Sequence, residues 1–194
     1  MYRFLIIFLG FVLIHATTLQ AETEISPTKQ TSEKKIGIGL ESQFYPAGFI
    51  HGIRFDYFLS SVDLVNVRSG YNFARRLDYG KHDNEEGGGI GFGLGYRRTD
   101  VNIFGETLFL GARLDFWNMN INWQRDFLGL TQNGISKIKV LQPTLELGKK
   151  ILLDDNFTLT LSIALGMEVN YKTIGEPVGE GAILLWGVSL GYEM

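Results

Sequence analysis

Hydrophobic and polar residues alternate with a period of two along most of the chain after residue 34. In the clearest run, 157–171, the odd positions are apolar and the even positions are small or polar. A period of two indicates a β-strand with one apolar face. The run is longer than the roughly five or six residues of a typical soluble strand, and it exceeds the roughly 9 to 11 residues that a tilted strand needs to cross a bilayer.

Eight stretches show this alternation, and no helical pattern separates them. Pro46-Ala47 can form a two-residue loop between the first two strands. Such a loop would pair Phe44 with Phe49, and this register sets apolar residues opposite apolar residues throughout. The predicted strands are 35–45, 49–59, 65–76, 89–97, 108–123, 138–147, 157–171 and 184–194.

Two of the strands change parity partway along. In the fifth, the apolar positions move from even to odd numbers after Phe116, and in the sixth they also move from even to odd numbers after Val140. A β-bulge in each strand would explain both changes, and Pro143 favours a bulge in the sixth.

The connections differ between the two ends of the predicted sheet. The turns after the second, fourth and sixth strands are short, whereas 77–88, 124–136 and 172–181 read as long exposed loops. An even number of strands, with both termini on the short-turn side, is typical of outer-membrane barrels. The sequence therefore predicts an all-β fold: an eight-stranded antiparallel up-and-down transmembrane β-barrel.

The composition of the polar face predicts which face meets lipid. That face is rich in Gly, Ser, Thr and Ala, small residues that a narrow eight-stranded lumen can hold. The apolar face should then point outward. The alternative is a secreted lipocalin-like carrier, whose apolar face would enclose a ligand.

The N-terminal segment reads as a targeting sequence. Arg3, the apolar run 4–14 and Ala21 predict a signal peptide over 1–21, with a retained anchor as the alternative. Residues 22–34 read as a flexible periplasmic lead-in, and 35–194 as the barrel.

Without residues 1–21 the net charge is 17 − 21 = −4, which excludes a strongly basic, nucleic-acid-binding protein. The absence of cysteine excludes disulfides and a lipid-attachment cysteine.

The signal peptide, the eight amphipathic strands and the last strand resemble the small outer-membrane β-barrel proteins of the OmpX-like and OmpA transmembrane-domain kind. The resemblance implies an outer-membrane location with both termini in the periplasm, contact with outer-membrane lipids and lipopolysaccharide, and handling by the barrel-assembly machinery. In such proteins the last strand acts as an assembly signal, although this chain ends in Met where the family has an aromatic ring. The corresponding residues are Trp186, Val188, Leu190, Tyr192 and Met194.

Aromatic residues fall near both ends of the predicted lipid-facing band, as in an aromatic girdle. They are Phe44, Phe49, Tyr71, Phe73 and Tyr171 toward the long loops, and Tyr57 and Tyr96 toward the short turns.

Candidate catalytic and metal-binding groups are few. Ser189 lies in a G-x-S-x-G match, but inside a strand rather than at the sharp turn that a hydrolase needs. Lipid A deacylases of the resembled kind use His-x-Ser, and here His51 is followed by Gly-Ile; His82 lies in a charged loop. The carboxylates Asp83, Glu85 and Glu86 fit no calcium loop. We therefore expect that the protein has no enzymatic activity and binds no cofactor.

Charged residues on the inward face predict how the lumen is filled. We expect Glu41 to pair with Arg54 and Arg113 with Glu146, with Arg68 nearby, because charges in a narrow lumen are tolerated only when paired. The pairs would form a plug, or else the latch of a narrow gated pore. The expected function is a non-enzymatic outer-membrane barrel whose loops serve surface binding, adhesion or envelope integrity.

Overall fold

A computed structural model describes residues 35–79 and 81–194. The predicted signal peptide and lead-in lie outside the described residues. No helix within the described ranges is long and apolar enough to cross a bilayer.

The described residues form eight antiparallel strands, each paired with the next, and the last strand pairs with the first to close a barrel. The predicted up-and-down β-barrel is therefore confirmed. The strands are β1 (Ile36–Tyr45), β2 (Gly48–Phe58), β3 (Asp63–Tyr79), β4 (His82–Ile103), β5 (Glu106–Phe127), β6 (Leu130–Leu152), β7 (Phe157–Ile174) and β8 (Gly181–Glu193).

The predicted register of the first hairpin is also confirmed. Phe44 lies opposite Phe49, and the pairing continues to Ile36 opposite Tyr57. On its other side β1 pairs with β8, up to Phe44 opposite Trp186. The first and last described residues of the barrel meet at this seam, where the amide of Ile36 donates to the carbonyl of Met194 at 3.1 Å.

Two of the three long loops predicted from the sequence, 77–88 and 124–136, are mostly strand, whereas most of the third, 172–181, is a loop as predicted. β3 and β4 stay paired up to Tyr79 opposite His82, and β5 and β6 up to Phe127 opposite Leu130. Only 175–180, between β7 and β8, is irregular. The prediction was wrong for 77–88 and 124–136 because the charged residues in these segments mostly lie on the outer wall of extended hairpins, where they do not interrupt the backbone ladder.

Tight turns join the strands at both ends of the barrel. Phe104 and Gly105 have φ angles of 53° and 83°, and Leu128 and Gly129 have 51° and 79°. Two consecutive residues with positive φ match the twist of a two-residue hairpin, and glycine adopts this conformation without steric cost.

The apolar faces of the strands point outward through the lower barrel, as predicted. Ile90, Leu94 and Leu165 are 69%, 54% and 63% exposed, whereas Glu146 and Thr160 are buried. The arrangement of a lipocalin-like carrier, with this face enclosed, is not found.

The bulge predicted in the fifth strand is not found, and at the position predicted in the sixth strand a register shift occurs only in the pairing with β7, between Lys139 and Val140. β5 and β6 pair without interruption from Phe109 opposite Gly148 to the hairpin tip. The parity changes because the apolar residues move from the outer to the inner side of an unbroken wall. Trp117 comes directly after this change in β5, and Val140 comes directly before it in β6. Both are buried, at 3% and 0% exposure.

This change of side occurs at matching positions on the neighbouring strands β5 and β6. Phe116 and Leu141 are paired in register, Val169 of β7 lies opposite Leu141, and we call the line through these three residues the inversion line. Below it, toward the short turns, the outer wall is apolar and the lumen is mostly polar. Above it, the outer wall of β5 and β6 is mostly polar, and their inward side chains are mostly apolar. The register of β6 against β7 shifts just above this line, where Tyr171 has no partner.

Candidate functional site: the closed lumen

The lower lumen holds a network of buried ion pairs. Among the described residues it contains four arginines and four carboxylates, none more than 7% exposed, so the formal charges balance. The members are Arg54, Arg68, Arg97, Arg113, Glu41, Asp56, Asp115 and Glu146.

Arg68 on β3 lies at the centre of this network. Its Nη1 donates to Glu41 at 2.5 Å, and its Nε and Nη2 donate to the two oxygens of Asp115 at 2.8 and 2.7 Å. Glu41 also accepts a hydrogen bond from Arg54 at 2.9 Å. One guanidinium thus connects β1 with β5 across the lumen, in the planar two-bond geometry that favours arginine over lysine.

Arg113 and Glu146 lie near each other, but each has closer partners. Their nearest nitrogen and oxygen are 3.9 Å apart. Arg113 donates to Asp115 at 2.9 Å and to Gln43 at 3.0 Å. Glu146 instead accepts two hydrogen bonds from Arg97, at 2.9 and 3.0 Å.

Three members of the network, Asp56, Arg97 and Asp115, were missed as site residues by sequence reasoning. Each lies on the polar parity of its strand, and that parity was the available signal. Their partners were not predictable, because hydrogen bonds such as that from Arg68 to Asp115 join residues 47 positions apart.

Glycines on the inner face of β4 make room for these large groups. A Cβ added to Gly93 would lie 1.8 Å from Asp115, and one added to Gly91 would lie 2.2 Å from the Trp117 ring. Substitution of either glycine would therefore displace a side chain that fills the lumen.

An apolar core packs inside the barrel, and its members on β5 and β6 lie above the inversion line. Trp117 marks the transition, since its ring packs in this core while its Nε1 donates to Gln142 at 2.9 Å. The core consists of Tyr45, Ile50, Ala74, Trp117, Met119, Ile121, Ile138, Val140, Ala164, Val178, Ile183 and Leu185.

Residues 175–180, which we call the lid, fold over the mouth of the barrel at the end opposite the short turns. Val178 is only 6% exposed. The amide of Gly179 donates to both oxygens of Glu85 at 3.0 and 3.2 Å, and Arg76 donates to the Gly179 carbonyl at 2.8 Å. The lid is therefore attached to side chains inside the barrel.

A second ion cluster lies beneath the lid. Arg76 bonds Glu168 at 2.5 Å and Glu85 at 3.3 Å. His82 makes a 2.8 Å hydrogen bond with Glu85 and stacks on Trp123 at 4.6 Å between ring centroids. These contacts assign His82 a packing role under the lid.

The acidic residues Asp83, Glu85 and Glu86 do not converge on one point. Glu85 faces the lumen, Glu86 is exposed, and Asp83 accepts a hydrogen bond from the amide of Asp126 at 2.6 Å. Within the described part of the chain, no group of three or more His, Cys, Asp or Glu side chains could hold a metal ion.

Two polar residues pair on the outer wall. Ser42 and His51 face each other across β1 and β2, with Ser42 Oγ 2.7 Å from His51 Nδ1. Their next neighbours on either side are Val188 and Tyr71, so no carboxylate stands beside them to orient the imidazole. The hydrogen bond satisfies two polar groups on an otherwise apolar wall. Ser189 faces the lumen inside β8, at 4% exposure.

The predicted girdle and last-strand residues lie mainly on the outside. Trp186, Val188 and Leu190 are exposed on β8. Tyr96 is partly covered, and its hydroxyl donates to Asp63 at 2.5 Å. The exposed girdle residues are Phe44, Phe49, Tyr57, Tyr71, Phe73 and Tyr171.

Solved structures similar to this chain are small outer-membrane β-barrels. The N-terminal β-barrel domain of Pseudomonas aeruginosa OprF matches 82% of this chain and 100% of its own, at 12% identity and a TM-score of 0.41. Ail, the attachment invasion locus protein of Yersinia pestis, crystallised with the heparin analogue sucrose octasulfate, matches 83% and 97%, at 13% identity and a TM-score of 0.43. The outer membrane protein AlkL in lipid bilayers matches 89% and 97%, at 12% identity and a TM-score of 0.40. No family model and no curated protein matches the chain.

Proposed function

We propose that the chain is a non-enzymatic integral outer-membrane β-barrel with a closed lumen. It conducts no solute, and it holds rigid hairpins above the membrane for surface binding, adhesion or envelope integrity. Both termini lie at the end of the short turns, which is the periplasmic end in this proposal.

The inversion line supports the membrane position. Below it the outer wall exposes leucine, isoleucine and phenylalanine over polar interior positions, an arrangement that is stable against lipid and costly against water. Above it the arrangement on β5 and β6 mostly reverses to that of a water-soluble protein. β4, β5 and β6 have 22, 22 and 23 residues, about twice the roughly 9 to 11 that cross a bilayer, so their upper halves project beyond it.

The observation that supports a closed lumen is that buried side chains occupy it at several levels. The ion network lies in the lower part, the apolar core packs inside the barrel with its β5 and β6 members above the inversion line, and the lid covers the mouth. A conducting pore requires a wetted path, and an apolar core excludes water.

Conductance across planar lipid bilayers tests the closed lumen. The purified protein should insert without discrete channel events, while a porin inserted in parallel should give them. Insertion is checked separately by gel migration before and after boiling, since a folded barrel migrates differently from the unfolded chain. Stable unitary conductance from the inserted protein would overturn the proposal.

A further inference from the structure

Lysines cluster on the outer wall directly above the inversion line. Lys139 on β6 and Lys172 on β7 lie opposite each other, and Lys137 lies two residues further up β6. All three are exposed, and none forms an ion pair with another residue of the described ranges. Like charges directly opposite in a sheet are destabilising, so this pair is favoured only when an anion lies against it.

Amide side chains lie beside these lysines. Asn118 is opposite Lys139, Asn120 is opposite Lys137, and Asn122 follows one step higher on β5. All three asparagines are exposed. An amide offers both donors and acceptors, which suits the hydroxyl groups of a sugar.

Below the lysines the same three strands present the apolar wall. Phe116, Leu141 and Val169 lie at the inversion line, with Leu145 and Leu165 beneath them. The face thus carries apolar side chains at and below the inversion line, and lysines with asparagines beside them above it.

We propose that this face of β5, β6 and β7 binds a phosphorylated outer-leaflet glycolipid, with its phosphate on Lys139 and Lys172. We call it the glycolipid face. The acyl chains lie against the apolar wall, the phosphate lies at the level of the lysines, and the sugars extend along the asparagines. This inference rests on the membrane position proposed above.

The charge distribution supports an anionic ligand on this side of the barrel. β1, β2 and β8 contain no lysine. The carboxylate of Glu86 on β4 is separated from Lys137 by the whole width of β5, about 10 Å at normal strand spacing. The three lysines therefore keep their charge available to a phosphate.

Binding of bis-phosphorylated lipid A to the detergent-purified protein tests the site. Lys139→Ser/Lys172→Ser should weaken binding by about tenfold or more, since each lysine near an anionic surface contributes roughly fivefold. The matched control is Lys35→Ser/Lys149→Ser, which removes the same charge at the opposite end of the barrel and should bind as the wild type does. Equal binding by Lys139→Ser/Lys172→Ser and wild type would overturn the inference.

Two further probes identify what the lysines recognise. Dephosphorylated lipid A should bind the wild type more weakly than lipid A does, and the Lys139→Ser/Lys172→Ser protein should not distinguish the two lipids. Inorganic phosphate at matched concentration should not compete with lipid A. Competition at that concentration would assign the lysines to free phosphate and overturn the glycolipid assignment.

The amide rows are tested with lipopolysaccharide that carries core sugars. Asn118→Ala/Asn120→Ala should weaken its binding and leave lipid A binding unchanged; no effect on either ligand would remove the sugar contact from the inference. A failure of the membrane position itself would be recognised separately, because the protein would then be recovered from the soluble fraction of cells.

Discussion

At the residue scale, the decisive feature of the lumen is that the central charges of the network have more than one partner. Glu41 is bonded by Arg54 and Arg68, and Asp115 by Arg68 and Arg113. Removing one member of a buried pair leaves the other charged without compensation, and this costs far more than losing an exposed pair.

Arg68→Ala should lower the free energy of unfolding by about 3 to 5 kcal/mol, because Glu41 and Asp115 both lose a direct hydrogen bond in a buried site. Urea titration of the protein in lipid vesicles measures the change. The control is Arg98→Ala, which removes the exposed pair with Asp100 and should cost at most about 1 kcal/mol. Equal losses for the two variants would contradict a structural role for the network.

At the element scale, the lid is the part of the barrel with the least regular structure, and charged side chains attach it. Lys81 donates to Glu176 at 2.5 Å, and this hydrogen bond holds the pKa of Glu176 below its ordinary value. A depressed carboxyl pKa stabilises the folded state above the ordinary value of 4.5, and that contribution is lost as the pH falls through the depressed pKa.

Glu176→Gln should therefore reduce the protection of the lid at neutral pH but not in acid. The wild type should resist cleavage by a broad-specificity protease within 175–180 at pH 7, and Glu176→Gln should be cut there faster. At a pH below the depressed pKa, an acid-active protease should cut both proteins at the same rate. A difference that persists in acid would show that the ion pair is not what secures the lid.

How much the sequence could predict also differs between elements. The first hairpin was predictable to the residue, because a two-residue turn and opposed apolar faces allow only one register. The extended β3–β4 and β5–β6 hairpins were not, because their exposed polar residues look the same in a loop and in a strand. The change of parity between Phe116 and Trp117 was visible in the sequence, but it was interpreted as a bulge. A bulge and a change in the side of the wall that carries the apolar residues alter the parity in the same way. The lid contacts, such as Gly179 with Glu85, join residues too distant for a local pattern to indicate.

At the scale of the whole molecule, the barrel has two differently constructed halves. The lower half has the apolar surface and mostly polar interior of a membrane protein, whereas β5 and β6 in the upper half mostly have the reverse. The three tryptophans lie on different sides of the barrel wall. Trp186 is 59% exposed on the outer wall, whereas Trp117 is buried inside and Trp123 packs against the apolar core.

Brominated lipids should quench the fluorescence of Trp186 alone, because the other two rings are separated from the acyl chains by the barrel wall. In vesicles the wild type should lose part of its emission, and Trp186→Phe should show almost no quenching. Trp123→Phe is the matched control and should keep the wild-type loss. Quenching that survives in Trp186→Phe would place an interior ring in lipid and contradict the assignment of faces.

The core above the inversion line has a consequence for how the exterior can change over time. Because Met119, Ile121 and Ile138 pack inside the projecting wall, its architecture does not depend on the residues that face the medium. Substitutions on the polar outer side of these hairpins can therefore accumulate while the backbone stays in place. If the hairpins project from the cell as proposed, their outer surface would keep a fixed shape while its chemistry varies.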